Sequence, residues 1–218
     1  MYGREYGGKE LNFEPSGGLL HASLVMQDKE TDTYWSIMTG TALAGDLAQT
    51  ELVELPIGVK AQWKDWVKDY PETMVLSIKG VEHEANNPYD NYFESDEGFR
   101  GAAARDNRLP TKEAVYAFQI EGAAYAMRFS SFENGKIFKV GDREIFLFRP
   151  SGVEIFYSTL AFVSGDSEFE HYDGVWRHRS GAKFDPEAGS FGGVKRLDGF
   201  DTFWFNWSMT HPETKILE

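Results

Sequence analysis

Trp63-Lys-Asp-Trp66-Val-Lys-Asp-Tyr70-Pro71-Glu-Thr73 and Trp204-Phe-Asn-Trp207-Ser-Met-Thr-His211-Pro212-Glu-Thr214 carry one pattern 141 positions apart (63 to 204). Two tryptophans stand three apart, a ring follows four further on, and Pro-Glu-Thr closes each copy. The same shift pairs Asp32 with Asp173, Trp35 with Trp176 and Gly40 with Gly181. Spacing held over so long a stretch argues for a duplicated structural unit rather than for coincidence in an aromatic-rich chain. In the first copy Trp63, Trp66, Val67 and Tyr70 fall at i, i+3, i+4 and i+7, one face of a helix, with Lys60, Lys64, Asp65 and Lys68 on the other. Pro71 ends that helix, because proline cannot extend the hydrogen-bond ladder and disfavours helix at the residue before it. Met74 to Ile78 then reads as a strand. In the second copy Asp201 or Thr202 supplies the N-cap. Trp204, Trp207 and His211 share a face, Pro212 is the stop, and Lys215 to Leu217 is the strand. Tryptophans at helical spacing are expected to pack each helix on its own sheet.

Outward from these helices the chain reads as β-structure. Ala114–Ile120 and Ala123–Phe129 flank Glu121-Gly122, and Lys136–Val140 and Arg143–Phe148 flank Gly141-Asp142, both two-residue hairpin turns by their chemistry. Val153–Ser158, Tyr34–Met38 and Val175–His178 read as further strands. Gly80 to Pro110 is polar and rich in Asn and Asp, a connector expected to be packed by Tyr89, Tyr92, Phe93 and Phe99. The expected fold is therefore α+β, mainly antiparallel β, a duplicated unit with one short helix per copy. Its parts are a first unit over 1–78, a connector over 79–113 and a second unit over 114–218. Two full periods of 141 exceed the 218 residues present, and the hairpins from Ala114 to about Tyr157 have no counterpart before Met1. The first unit is expected to be incomplete at its N-terminal side, with an unpaired sheet edge that invites self-association.

Composition narrows the function classes. Seventeen Phe, ten Tyr and six Trp favour pleated, half-buried surfaces. A net charge of −13 without a basic cluster disfavours nucleic acid as a partner. The absence of cysteine removes disulfides, thiolate metal sites and cysteine nucleophiles. No run of apolar residues reaches membrane-spanning length, and Met1 to Leu11 has no apolar leader core.

The motif search yields little chemistry. His83-Glu84 starts like a zinc-protease helix, but Asn87 stands where the second histidine is required. Gly189-Ser190-Phe191-Gly192-Gly193 is a glycine loop and not a nucleophile elbow. His171, Asp173 and His178 surround Trp176, and a turn at Asp173-Gly174 could bring them together as a two-histidine, one-carboxylate site, although a surface hairpin with ordinary histidines is the better reading. Asp90, Glu94, Asp96 and Glu97 make an acidic loop without the residue order of a calcium loop. No catalytic residue, metal ligand or cofactor is assigned.

The chain nevertheless resembles a known family. Gly18-Leu-Leu-His-Ala-Ser-Leu-Val-Met26, Asp28-Lys-Glu-Thr-Asp-Thr-Tyr-Trp35, Gly40 through Leu47, Trp63 to Pro71, Asn87-Pro88-Tyr89 with Tyr92, Asp106 to Lys112 and Trp204 to Leu217 carry the resemblance. Together they are similar to the bacterial and archaeal proteins that share the domain of unknown function numbered 3179. The resemblance covers nearly the whole chain and implies no established activity. Family members look longer at the N-terminus, with a Val-rich hairpin and a cysteine-containing motif that this chain lacks. His21 stands where the family more often has Tyr or Arg, and Ala22 where Asn is common. The resemblance implies an extracytoplasmic location.

Two function classes follow from these readings. One is a non-catalytic exported binding or assembly module with a protein or polysaccharide partner, its contacts drawn from Tyr34, Trp35, Trp176, Phe191, His171, Asp173 and His178. The other is a hydrolase-type enzyme whose carboxylates and histidines, among Asp28, Asp32, His171, Asp173 and His178, meet between the two copies.

Overall fold

From the N-terminus the chain forms a small ribbon, β1 (Glu5–Tyr6) and β2 (Lys9–Glu10), and then an antiparallel meander of β3 (Phe13–Leu20), β4 (Ser23–Asp28), β5 (Tyr34–Ser36) and β6 (Ala42–Ala44). This structure, a computed structural model, describes residues 2–55, 60, 62–75 and 89–218. Helix α1 (Trp63–Asp69) follows, then α2 (Asp90–Glu94) and a 3₁₀ turn at Phe99–Gly101. The second half contains β7 (Ala114–Ile120), β8 (Ala123–Arg128), β9 (Lys136–Val140), β10 (Arg143–Phe148), β11 (Leu160–Gly165), β12 (Phe169–Tyr172), β13 (Val175–His178), β14 (Phe200–Phe203), α3 (Trp204–Thr210) and β15 (Lys215–Ile216). These strands make a β14-β7-β8-β15 sheet, a β9-β10-β11 sheet and the β12-β13 hairpin. Among the described residues every strand pair is antiparallel except β15 with β8. The fold is α+β and mainly antiparallel, as the sequence implies.

The β7-β8 hairpin is the spine. Glu121 and Gly122 both adopt positive φ, 51° and 76°, so the turn twists in the sense the strands require, and Gly122 does so without steric cost. One face of the hairpin, Tyr116, Phe118, Tyr125 and Met127, packs on Phe138, Ile145 and Leu147 of the second sheet. The other face, Val115, Ala117 and Ala126, lies under Trp204 and Trp207 of α3, with Met38 and Leu109 completing the cluster. Small side chains on this face leave room for two indoles, and burial on both faces explains the near-continuous apolar run in β7. Beyond β10 a third layer of rings, Phe146, Phe148, Phe162, Phe169, Phe184 and Phe191, is covered by β12-β13 and the loop after it.

Both motif copies form helices of seven residues with matched ends. The Tyr70 N–H donates to Trp66 O and the His211 N–H to Trp207 O, and the capping residues share φ/ψ near (−130°, 67°) and (−128°, 76°). Their surroundings differ. Trp204 and Trp207 are 0% and 1% exposed, whereas Trp63, Trp66 and Tyr70 are 51%, 36% and 54% exposed. The expectation that each helix packs its tryptophans on its own sheet is thus corrected for α1.

Other details also differ from the sequence reading. Asp201 and Thr202 belong to β14, and Phe203 is the N-cap of α3. The Trp204 and Phe205 N–H groups are instead satisfied by the carbonyls of Glu113 and Thr111. Asp201 accepts from the Thr159 N–H and hydroxyl and faces buried Arg149 at 3.8 Å. Val153–Ser158 is a loop and not a strand. Arg149 reaches the Glu154 carbonyl at 2.9 Å and also donates to Tyr157 O, so these backbone acceptors bind a guanidinium rather than a neighbouring strand. Met74 and Val75 lie in no strand, and the remainder of that expected strand, with His83-Glu84, falls outside the described residues. In the connector, Tyr92 packs edge-on against Phe203 and Phe93 against Phe156.

Candidate functional site

A cleft of about 580 Å³ opens where the N-terminal meander meets the second half. One wall is Tyr2 and Glu54, which are bridged antiparallel, with Met38 and Thr39 beside them. The opposite wall is the segment Lys195 to Phe200, which runs along β11 through bonds from the Val163 N–H to Lys195 O and from the Leu197 N–H to Ala161 O. Phe118, Gln119 and Ile120 of β7 line the cleft from the spine, with Trp207 of α3 and His211 at its C-cap. Gly199 permits this arrangement. A Cβ there would lie 2.6 Å from the Tyr116 hydroxyl, which itself donates to Leu197 O at 2.9 Å. Only a glycine lets the segment bend against Tyr116 and present Asp198 to the cleft.

Four titratable groups of the cleft, Tyr2, Glu54, Asp198 and His211, depart from their ordinary behaviour. Glu54 keeps part of its side chain in solvent, but desolvation by the cleft wall raises its pKa, and the nearby charge of Asp198 pushes it the same way. Burial likewise raises Asp198, against the opposing pull of Lys195 and Arg196. The Tyr2 phenol is raised by burial and by Glu54 and Glu51, and its hydroxyl donates to Met38 O at 3.0 Å. His211 is lowered, first by burial and then by the charge of His21. Its Nδ1 lies 3.0 Å from Gln119 Nε2. With the amide donating, Nδ1 is the acceptor and the neutral ring keeps its proton on Nε2. The Trp207 indole N–H is buried and has no partner among the described residues. Such convergence of shifted carboxyls, a histidine and an amide in one concavity has the chemistry of a ligand site.

None of the candidate site residues drawn from sequence lines this cleft. Trp35 is buried, and its indole donates to Asp28 at 2.8 Å. Asp28 is buried too. Desolvation opposes its ionisation, but the Trp35 N–H and the Thr31 hydroxyl and N–H outweigh it and hold the carboxyl below its usual range. Tyr34 is exposed on β5, and Asp32 sits in the β4-β5 turn at φ 52°. Phe191 is buried in the phenylalanine layer. Trp176 is half-buried, donates to Asn134 O at 3.0 Å and packs on Phe146.

The β12-β13 register pairs His171 with Trp176 and Phe169 with His178, so all four share one face. His171 stacks on Trp176 at 4.3 Å, while Asp173 is exposed in the turn. His178 is engaged elsewhere. Its Nε2 lies 2.8 Å from Ser164 Oγ and 3.3 Å from Glu168, to which Ser164 also donates. A hydrolytic triad needs the serine and the carboxylate on opposite ring nitrogens. Here both lie at Nε2, and Nδ1 faces Ser180 at 2.8 Å. These contacts tie β11 to the β12-β13 hairpin. No group of three or more His, Cys, Asp or Glu able to hold a metal ion occurs among the described residues.

Sequence reasoning passed over Tyr2, Glu54, Gln119 and Asp198, which belong to no local pattern. His211 carried the one usable signal, a titratable ring at the last position of an apolar helix face.

The model of a protein family of unknown function, DUF3179, matches residues 1–214, and the chain belongs to that family. No curated protein and no solved structure matches it.

Proposed function

We propose that this DUF3179 protein is a non-catalytic binding module whose cleft takes a neutral, hydroxyl-rich ligand, with oligosaccharide the chemistry that fits. One observation carries the reading: Glu54, Asp198 and the Gln119–His211 pair converge on a single concavity. Carboxyl and amide groups hydrogen-bond vicinal hydroxyls, and the half-buried ring of Phe200 offers an apolar face to sugar C–H groups. Arg143, Lys195 and Arg196 balance the three carboxyls of Glu54, Glu121 and Asp198, so the lining has no strong sign and suits an uncharged ligand. Calorimetric titration with a panel of neutral oligosaccharides tests this. Saturable binding is expected, weakened at least tenfold by Gln119→Ala and by Asp198→Asn; heats that stay flat across the panel, or variants that bind like the parent, would end the proposal.

A second reading, a hydrolase with its site between the copies, is favoured by the raised Glu54 and Asp198, since a carboxyl that keeps its proton is suited to general acid catalysis. It requires release of reducing ends from a bound oligosaccharide, lost in Glu54→Gln while binding persists. The duplication belongs to the proposal as well, supported by the matched helix ends. So does the extracytoplasmic location, which rests on family resemblance and is checked by cell fractionation. Among the described residues no helix is long and apolar enough to cross a membrane.

A further inference from the structure

The buried copy of the Trp-x-x-Trp helix shows what the exposed copy is built to meet. Around α3, the indoles of Trp204 and Trp207 rest on Val115, Ala117 and Ala126 of the β7-β8 hairpin, and β15 pairs in parallel with β8 through Lys215–Tyr125 and Ile216–Ala126. Around α1, the equivalent rings are open to solvent. Met74 and Val75, the positions equivalent to Lys215 and Ile216, are 94% and 59% exposed and belong to no strand. A helix face and a strand position that share one cover in the second copy are thus both uncovered in the first. Exposed apolar surface of this kind, contiguous along a helix and the segment after it, marks an interaction site.

We propose that α1 and Met74–Val75 form a docking surface for a β-hairpin of a partner protein, with small apolar side chains, Ala and Val, on the face that meets the indoles. The chemistry of the occupant follows from α3. Two large rings project from a short helix, so the opposing strands must be shallow, as Ala117 and Ala126 are. The outer strand of the hairpin then continues its ladder alongside Met74–Val75, as β8 does with β15, which is strand addition of the kind used in peptide recognition. The helix ends match, so the geometry that fits the second copy is available in the first.

The probe is a synthetic peptide of residues 114–128, labelled and closed into a hairpin by a disulfide between cysteines added at its ends. It is titrated into the full chain, and binding is followed by fluorescence anisotropy. Saturable binding is expected, at least tenfold weaker to Trp66→Glu and to Tyr70→Glu, and unchanged for Tyr172→Ser, which removes an exposed ring on β12. Both rings, Trp66 on α1 and Tyr70 at its C-cap, are solvent-exposed, and far-UV circular dichroism of these variants should match the parent. The complementary test places the change in the probe: the peptide with Ala126→Glu should lose binding to the unaltered chain. Absence of saturable binding, or binding indifferent to all of these changes, overturns the proposal. Dimerisation of the chain that Trp66→Glu abolishes, in sedimentation without peptide, overturns it too, because the face would then belong to a second copy.

Discussion

Helices α1 and α3 have the same length, the same tryptophan spacing and the same capping geometry, yet one presents its rings to water and the other buries them in the core. The difference separates two questions that amphipathic patterns tend to merge. Periodicity and the proline stop account for the helix in both copies. Burial is decided by the β7-β8 hairpin, which α3 has and α1 lacks among the described residues. The hydrogen bonds follow the same division. The Trp66 indole donates to Thr73 Oγ1 at 3.0 Å, while Thr214 Oγ1 turns to the His211 carbonyl at 2.6 Å and leaves the Trp207 N–H without an acceptor among the described residues. The tighter environment gains ring burial and gives up one hydrogen bond.

The largest expected contrast is in truncation of the rings. Trp204→Ala or Trp207→Ala should lower stability by about 3–5 kcal/mol, the range for deleting a buried large aromatic, and Trp66→Ala by less than about 1 kcal/mol. Urea unfolding followed by far-UV circular dichroism measures both, and equal costs would erase the distinction between the copies. A smaller contrast is expected at the threonines. Thr214→Val should cost about 1 kcal/mol, since Thr214 is buried and its hydroxyl satisfies a helix-end carbonyl, whereas Thr73→Val should stay within about 0.5 kcal/mol. A Thr73→Val cost as large as that of Thr214→Val would mean that α1 is held as firmly as α3.

The smallest effect concerns pH. The folded pKa of His211 lies below its ordinary value of 6.5, so the unfolded chain takes up the proton first. Its contribution is complete above 6.5 and is lost as pH falls toward the lowered folded value. Glu54 and Asp198 act in the opposite sense, because their raised pKa values make the folded state hold protons longer and lose stability as pH rises through them. Between about pH 7.5 and about pH 5, His211→Gln should therefore lose less stability than the parent, while Tyr70→Gln in the exposed copy should keep the parental slope. Parallel slopes for His211→Gln and the parent would remove His211 from the account.

Much of the fold was legible in local chemistry. The turns at Glu121-Gly122 and Gly141-Asp142, the strands around them, β13 and both helices follow from side-chain periodicity and glycine or proline punctuation within short windows. Val153–Ser158 reads as a strand from its side chains but is a loop, because the buried Arg149 claims the carbonyls of that segment, an interaction across the loop that no strand pattern encodes. The N-cap of α3 was misplaced for a similar reason, since Glu113 and Thr111 supply acceptors from far along the chain. The cleft was the least legible part. Tyr2, Glu54, Gln119, Asp198 and His211 are scattered from one end of the sequence to the other, and no spacing among them is repeated or short.

By itself, then, the sequence determined that both Trp-x-x-Trp segments are helices stopped at a proline, which hairpins turn, and that the motif occurs twice, because each depends on backbone sterics and on the period of side chains within a few residues. Tertiary structure alone decided which copy is buried, that Trp35 and Phe191 are core residues and not contact surfaces, and that two carboxyls meet a histidine and an amide in one cleft. Burial and convergence are relations between surfaces distant in the chain, and their energies arise only when those surfaces exclude water together.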